Sequence, residues 1–327
     1  FIFSEIDVNK KRIEIAKEND IQFDERSRIE VIEDFNKSGI ETYPAFGPKE
    51  FINSNGLKSG NGRIWPLGNI SNKNIVLGNE NGYWSVYKSD NLGFHNDVFL
   101  SKGENITTLL IGDSAVEGSA VKTENNFSGT LKDLGLNSVN LGRVGNGPNL
   151  NYAILQEYIN YFKPRYVLWF HVENDLNNIH VRKNDLENTI IMKYLNDDNY
   201  TQNLIERQIE VDYILTEYLT KKINENKRKP KKNIVKDLRD FIFLSNLKEF
   251  IAYLLYSANI QSSSEYLESI KEYRELLSKA KNLVEKNNAK MYFIYLPQWR
   301  SYGEENSYYW PLEYKEELLK NVDSLNI

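Results

Sequence analysis

This sequence contains no cysteine. That absence removes disulfide cross-links, thiolate nucleophiles and Cys-ligated zinc together. It leaves the compartment open, because an exported chain can also do without cysteine. Histidine is nearly as scarce: His95, His171 and His180 are the whole complement. The three form neither an HExxH nor a His-x-His pattern, so no metal is expected, and no cofactor either. An excess of positive charge is also lacking, since 41 Lys and Arg stand against 46 Asp and Glu for a net charge of −5. Without a basic excess there is no global attraction to DNA or RNA, and no nucleic-acid partner is expected. No apolar run approaches the roughly 20 residues that span a bilayer. The opening Phe1-Ile2-Phe3-Ser4, followed by a charged run from Asp7 to Arg12, reads in two ways. It is either the tail of a membrane anchor upstream of Phe1 or an arbitrary boundary.

What is present is ample material for a core. At 327 residues, 40% hydrophobic and 27% charged, the chain can form one large domain or two ordinary ones. Residues 1–50 are charged and helix-patterned, notably from Asp24 to Phe35, and end at Ser38-Gly39. Residues 51–100 turn to Gly, Asn and aromatics (Gly60-Asn61-Gly62, Trp65-Pro66, Gly82-Tyr83-Trp84), which suits short strands and turns. Residues 1–100 therefore read as an N-terminal extension laid against a main domain at 101–327.

In that main domain the pattern becomes β then α. Ile106 to Ile111 is an apolar β-prone run that stops at Gly112-Asp113-Ser114. Asn137 to Leu141 is a second, closed by Gly142; after a helix-like stretch from Asn151 to Phe162, Tyr166 to His171 is a third. Met291 to Leu296, stopped by Pro297, is a fourth. Continuous apolar runs separated by helices predict a parallel sheet buried on both faces. Between the third and fourth runs, about residues 183–285, apolar residues recur at helical spacing (Tyr213, Leu215, Tyr218, Leu219; Tyr266, Ile270, Tyr273, Leu276, Leu277). A helical insertion that adds no central strand is expected there. Lys227 to Lys232 reads as a solvated connector within it, the alternative being contact with an anionic membrane or polysaccharide. Phe241 to Tyr256 is apolar but too short to span a bilayer, and suits a core helix or an interfacial segment.

The chemistry-bearing residues follow the strands. A serine such as Ser114, at the carboxyl end of a central parallel strand, sits where α/β proteins place ligands, ahead of a helix N-terminus. Asp113 or Ser114 would serve equally as an ordinary helix N-cap. After the second strand, Asn140 to Gly147 forms a Gly-rich turn whose N–H groups could line an oxyanion hole, or simply turn the chain. After the third comes Glu173-Asn174-Asp175, where the Asn174 amide is a non-titrating donor, or the segment is a polar Asx turn.

The ordered set Gly112-Asp113-Ser114, Gly145 and Asn174-Asp175 resembles the SGNH/GDSL hydrolase superfamily. The stretch Asn79 to Phe94 is similar to the N-terminal region of bacterial cell-envelope members. The resemblance covers roughly residues 60–176 and 288–300 and leaves the insertion unmatched. It implies a three-layer α/β/α, flavodoxin-like fold with a central parallel sheet. It implies Ser114 as nucleophile, with the Ser114 N–H, Gly145 and Asn174 as oxyanion-hole donors and Asp113 and Asp175 in support. It implies an esterase or O-acyltransferase acting on O-acyl groups of a carbohydrate, or a small ester, in the cell envelope or periplasm, with or without a membrane anchor. Two departures are plain. Val172 stands where the family often has Gly, and no Asp-x-x-His supplies the general base. The fifth strand of such a fold would begin near Asp323 to Ile327, so the chain is expected to be C-terminally incomplete. The alternative is a non-catalytic carbohydrate- or partner-binding protein. His171, three residues before Asn174, is the nearest substitute base, although a packing role suits it better.

Overall fold

The computed structural model describes residues 6–60, 62–97, 105–172, 175–176, 189–227, 263–297 and 312–327. Its centre is a four-stranded sheet of β6 (Thr108–Ile111), β7 (Ser138–Asn140), β8 (Tyr166–Val172) and β9 (Lys290–Leu296), in the order β7-β6-β8-β9 and parallel throughout. These are the four strands expected, with Leu110 in register with both Asn140 and Leu168. Both faces are covered. Leu109, Ile111, Val167, Trp169 and Met291 join one large core, while Leu110 and Phe170 form a smaller core with Val116. Alternate residues of each strand thus bury on opposite sides, as a two-sided sheet requires.

Helices fill both layers. α4 (Phe127–Asp133) brings Leu131 to the smaller core. On the other face lie α5 (Pro148–Phe162) and α8 (Ser263–Lys286), which pack on each other, and α9 (Leu312–Asp323) packs on α8. Pro148 sits at the start of α5, where its missing N–H costs nothing, and the left-handed Lys163 ends the helix. Residues 324–326 form a turn after α9, with Leu325 N–H donating to the Val322 carbonyl, so no strand begins there. The insertion supplies α6 (Ile190–Asn196) and α7 (Gln208–Lys227), along with α8; its described residues hold no strand. In α7, Leu215 and Leu219 are buried but Tyr213 is exposed. Residues 228–262, which include most of the Lys-rich connector and all of Phe241 to Tyr256, lie outside the described residues.

The first hundred residues hold α1 (Ile6–Glu18), α2 (Arg28–Lys37) and five short strands: β1 (Thr42–Pro44), β2 (Leu57–Ser59), β3 (Gly62–Ile64), β4 (Asn74–Val76) and β5 (Val86–Lys88). The helix read from Asp24 starts only at Arg28, because Ser27 and Glu30 form a capping box there. This region shares the main core: Phe46, Phe51, Ile64 and Trp65 belong to one continuous cluster with Leu109, Trp169 and Tyr273. It also grips the insertion. The Trp65 N–H donates to Gln202 Oε1 at 2.7 Å, and Gln202 Nε2 returns a bond to the Trp65 carbonyl at 3.2 Å.

Candidate active-site pocket

The strand order reverses direction at β6, since the chain passes from β6 to β7 on one side and then crosses back from β7 to β8 on the other. Ligands of open α/β sheets bind outside the carboxyl ends of the strands at such a point. Ser114 lies three residues beyond β6, at the start of α3 (Ser114–Glu117). Asp113 is the N-cap of α3, and its carboxylate accepts the Ala115 N–H at 2.9 Å. Helix α3 is a single turn, ended by the left-handed Gly118, so it contributes little of the macrodipole expected from a following helix. What the turn does achieve is presentation. Gly112 lets Val116 close in behind, since a Cβ there would lie 2.4 Å from Val116 Cγ2, and Ser114 is left partly exposed.

Ser114 and Gly145 line one pocket of about 250 Å³, together with residues of the N-terminal region that include Gly47, Lys49 and Glu50. Gly145 has φ +72, in the left-handed region that favours glycine. A Cβ there would also lie 2.7 Å from Lys49 Cε and 3.0 Å from its Nζ. Asn174 lies outside the described residues. Asp175 is buried and accepts the Val172 N–H at 3.0 Å, with His171 Nδ1 at 3.5 Å, so it braces the end of β8.

A buried polar lattice joins the two turns. Glu117 and Arg143 have no solvent exposure and meet at 2.5 Å. The second Glu117 oxygen accepts the Val144 N–H at 2.5 Å, while Arg143 Nη2 donates to the Phe46 carbonyl (2.6 Å) and to Asn69 Oδ1 (2.9 Å). Asn140 Nδ2 donates to the Val116 carbonyl, and Asn140 Oδ1 accepts the Gly142 N–H. Burial pushes the Glu117 carboxyl above the usual carboxylate range, against the pull of Arg143 and the Val144 N–H. Sequence reasoning singled out neither Glu117 nor Arg143 as a site residue, nor Lys49. The only signal was position, with Glu117 one turn past Ser114 and Arg143 inside the Gly-rich turn.

The histidines are occupied elsewhere. His95 stacks on Tyr87 at 3.9 Å, with Nδ1 2.7 Å from the Glu117 carbonyl and Nε2 2.9 Å from Thr123 Oγ1. His171 is buried among Tyr273, Phe293 and Tyr295, with Nδ1 3.2 Å from the Tyr273 hydroxyl. Burial pulls His95 down to about 4 and His171 to about 3. His180 lies outside the described residues, and the His/Asp/Glu groups among the described residues include no cluster that could hold a metal ion.

No family profile, curated protein or solved structure matches this chain.

Proposed function

We propose that this protein is a serine esterase or O-acyltransferase of the SGNH/GDSL type, acting through an acyl-enzyme at Ser114 on O-acyl groups of a carbohydrate in the cell envelope. The observation that carries this reading is the shared pocket: Ser114 after β6 and the left-handed Gly145 after β7 line one cavity at the switch point of the sheet. The strand order and two covered faces agree with a flavodoxin-like three-layer fold. No helix among the described residues is long and apolar enough to cross a membrane.

In this reading the Ser114 Oγ attacks the ester carbonyl while its proton passes to a general base. The Ser114 N–H, the Gly145 N–H and the Asn174 amide hold the oxyanion. Collapse breaks the bond to the sugar oxygen, which takes up the proton. Water or a second hydroxyl then removes the acyl group. Neither His95 nor His171 suits the base, since both are buried and hydrogen-bonded away from the pocket. The base of the family pattern belongs to an Asp-x-x-His element, which the sequence through Ile327 does not contain.

A second reading, a non-catalytic binding protein on the same fold, is favoured by one observation. Among the described residues, no hydrogen bond engages the Ser114 hydroxyl. One experiment separates the two. The full-length gene product is assayed on p-nitrophenyl acetate and labelled with a fluorophosphonate. Turnover and labelling that both vanish in Ser114→Ala establish the esterase; an inert wild type that still binds acetylated glycan establishes the binding protein.

A further inference from the structure

The backbone ladder between β6 and β7 runs on past the sheet. The Leu141 N–H donates to the Leu110 carbonyl at 2.9 Å, and the Arg143 N–H to the Gly112 carbonyl at 3.1 Å. The next rung would join the Gly145 N–H to the Ser114 carbonyl. That rung is not made, because the Ser114 carbonyl accepts the Gly118 and Ser119 N–H groups of its own turn, at 3.1 and 3.2 Å. The ladder thus brings Ser114 and Gly145 into register and then lets their two turns part.

A side chain takes the place of the missing rung. Glu117, whose own N–H donates to the Asp113 carbonyl at 3.0 Å, accepts the Val144 N–H at 2.5 Å. Gly142 permits the close approach, since a Cβ there would lie 2.5 Å from the Glu117 nitrogen and 2.7 Å from the Val116 carbonyl carbon. The N-terminal region meets Val144 at its carbonyl. A Cβ on Gly47 would lie 2.6 Å from that oxygen, so the two backbones touch.

Glu117 is itself held from several sides. Its other carboxylate oxygen meets Arg143 Nη1 at 2.5 Å and the Tyr87 hydroxyl at 3.4 Å, and its main-chain carbonyl lies 2.7 Å from His95 Nδ1. The side chain has no solvent exposure, so water does not compete for its oxygens. A carboxylate suits the place because it offers one oxygen to Arg143 and the other to Val144, both of which donate. An amide has a single acceptor oxygen and would turn its own N–H groups toward a donor.

We infer that Glu117 is a positioning residue, which through the Val144 N–H holds the Gly145 turn where the Ser114 and Gly145 N–H groups can meet one oxyanion. This rests on the esterase or acyltransferase reading above. No proton passes to or from Glu117, and the serine proton goes to the base as before. Charge develops on the carbonyl oxygen only as the tetrahedral intermediate forms. A displaced Gly145 turn therefore lowers kcat and leaves KM nearly unchanged.

The test uses the full-length protein with p-nitrophenyl acetate, and rates are expressed per site titrated to completion by a fluorophosphonate. Glu117→Gln should lower kcat per titrated site by about 10²-fold with KM little changed, the loss that a misplacement of about 1 Å brings. Glu117→Met combined with Arg143→Leu removes the buried charges and the acceptor together. This double variant should melt at a higher temperature than Glu117→Gln, yet its kcat per site should stay low, since no carboxylate then holds the Val144 N–H. A purely structural Glu117 would instead let kcat per site recover along with stability. Glu117→Gln with wild-type kcat per site or with only KM raised, or a double variant with wild-type kcat per site, overturns the inference and leaves the Ser114 reading intact. A wild type that neither labels nor turns over ester overturns both. If Glu117→Gln does not fold, the double variant decides against the same criterion.

Discussion

Glu117 and Arg143 are charged side chains with no access to water, a costly arrangement unless every partner is in place. Here they bridge the Ser114 turn, the Gly145 turn and the N-terminal region through the Val144 N–H, the Phe46 carbonyl and Asn69. Glu117→Ala should therefore destabilise the fold by roughly 3–5 kcal/mol, because Arg143 is left buried and uncompensated. Urea denaturation checks this, and Glu117→Met combined with Arg143→Leu should cost less than the single Glu117→Ala. Neither residue was legible as a site residue in the sequence. Isolated charged residues read as solvated, and the partners of Arg143 lie at Phe46 and Asn69, far away along the chain. Ser114 and Gly145 were legible because strand-end serines and Gly-rich turns have local signatures. Lys49 had none, since its place in the pocket depends on a tertiary approach to Gly145.

The four sheet strands were read with errors of a residue or two, because buried parallel strands are continuous apolar runs bounded by turn residues. The short strands β1 to β5, three residues each, were legible only as a class, since such segments carry too little pattern to pair. Helix α5 shows what element-level patterning omits. Its apolar spacing was evident, yet its functionally distinctive residue is Glu157, buried against the insertion. Glu157 accepts hydrogen bonds from the Tyr194 hydroxyl, Thr201 Oγ1, and the backbone N–H groups of Gln202 and Leu204. It thus fastens the loop between α6 and α7 to α5. Glu157→Gln exchanges one acceptor oxygen for a donor facing N–H groups, and should cost roughly 1–3 kcal/mol. Hydrogen exchange should show protection at Gln202 and Leu204 falling more than at the β6 and β8 amides.

For the molecule as a whole, the buried histidines make acid a destabilising agent. His95 and His171 titrate near 4 and 3 when folded, against 6.5 when exposed. Below about pH 6.5 the unfolded chain binds protons that the native histidines do not, so stability falls as pH falls through that window. Asp90 works the other way. Burial raises it to about 6 despite N–H donors from Leu92 and Phe94, so the native state holds an extra proton between about pH 4 and 6. From the 1.36 kcal/mol carried by each pKa unit, His171 alone accounts for roughly 2 kcal/mol lost between pH 7.5 and 5. His171→Phe, which keeps a ring between Tyr273 and Phe293, should flatten the stability–pH curve by about that amount. Urea midpoints at pH 5 and 7.5 decide it.

The docking of Phe46, Gly47 and Lys49 along Arg143, Val144 and Gly145 also bears on how the chain reaches its working state. Arg143 and Phe46 are separated by 97 residues. Contacts at such separations close large loops and tend to be made late in folding. Helices α5 and α8, whose backbone hydrogen bonds are internal to each helix, can form while the Ser114 pocket still lacks one wall. The Ser114 pocket is then completed only in the last stage of folding, and a chain with native helix content can still lack it.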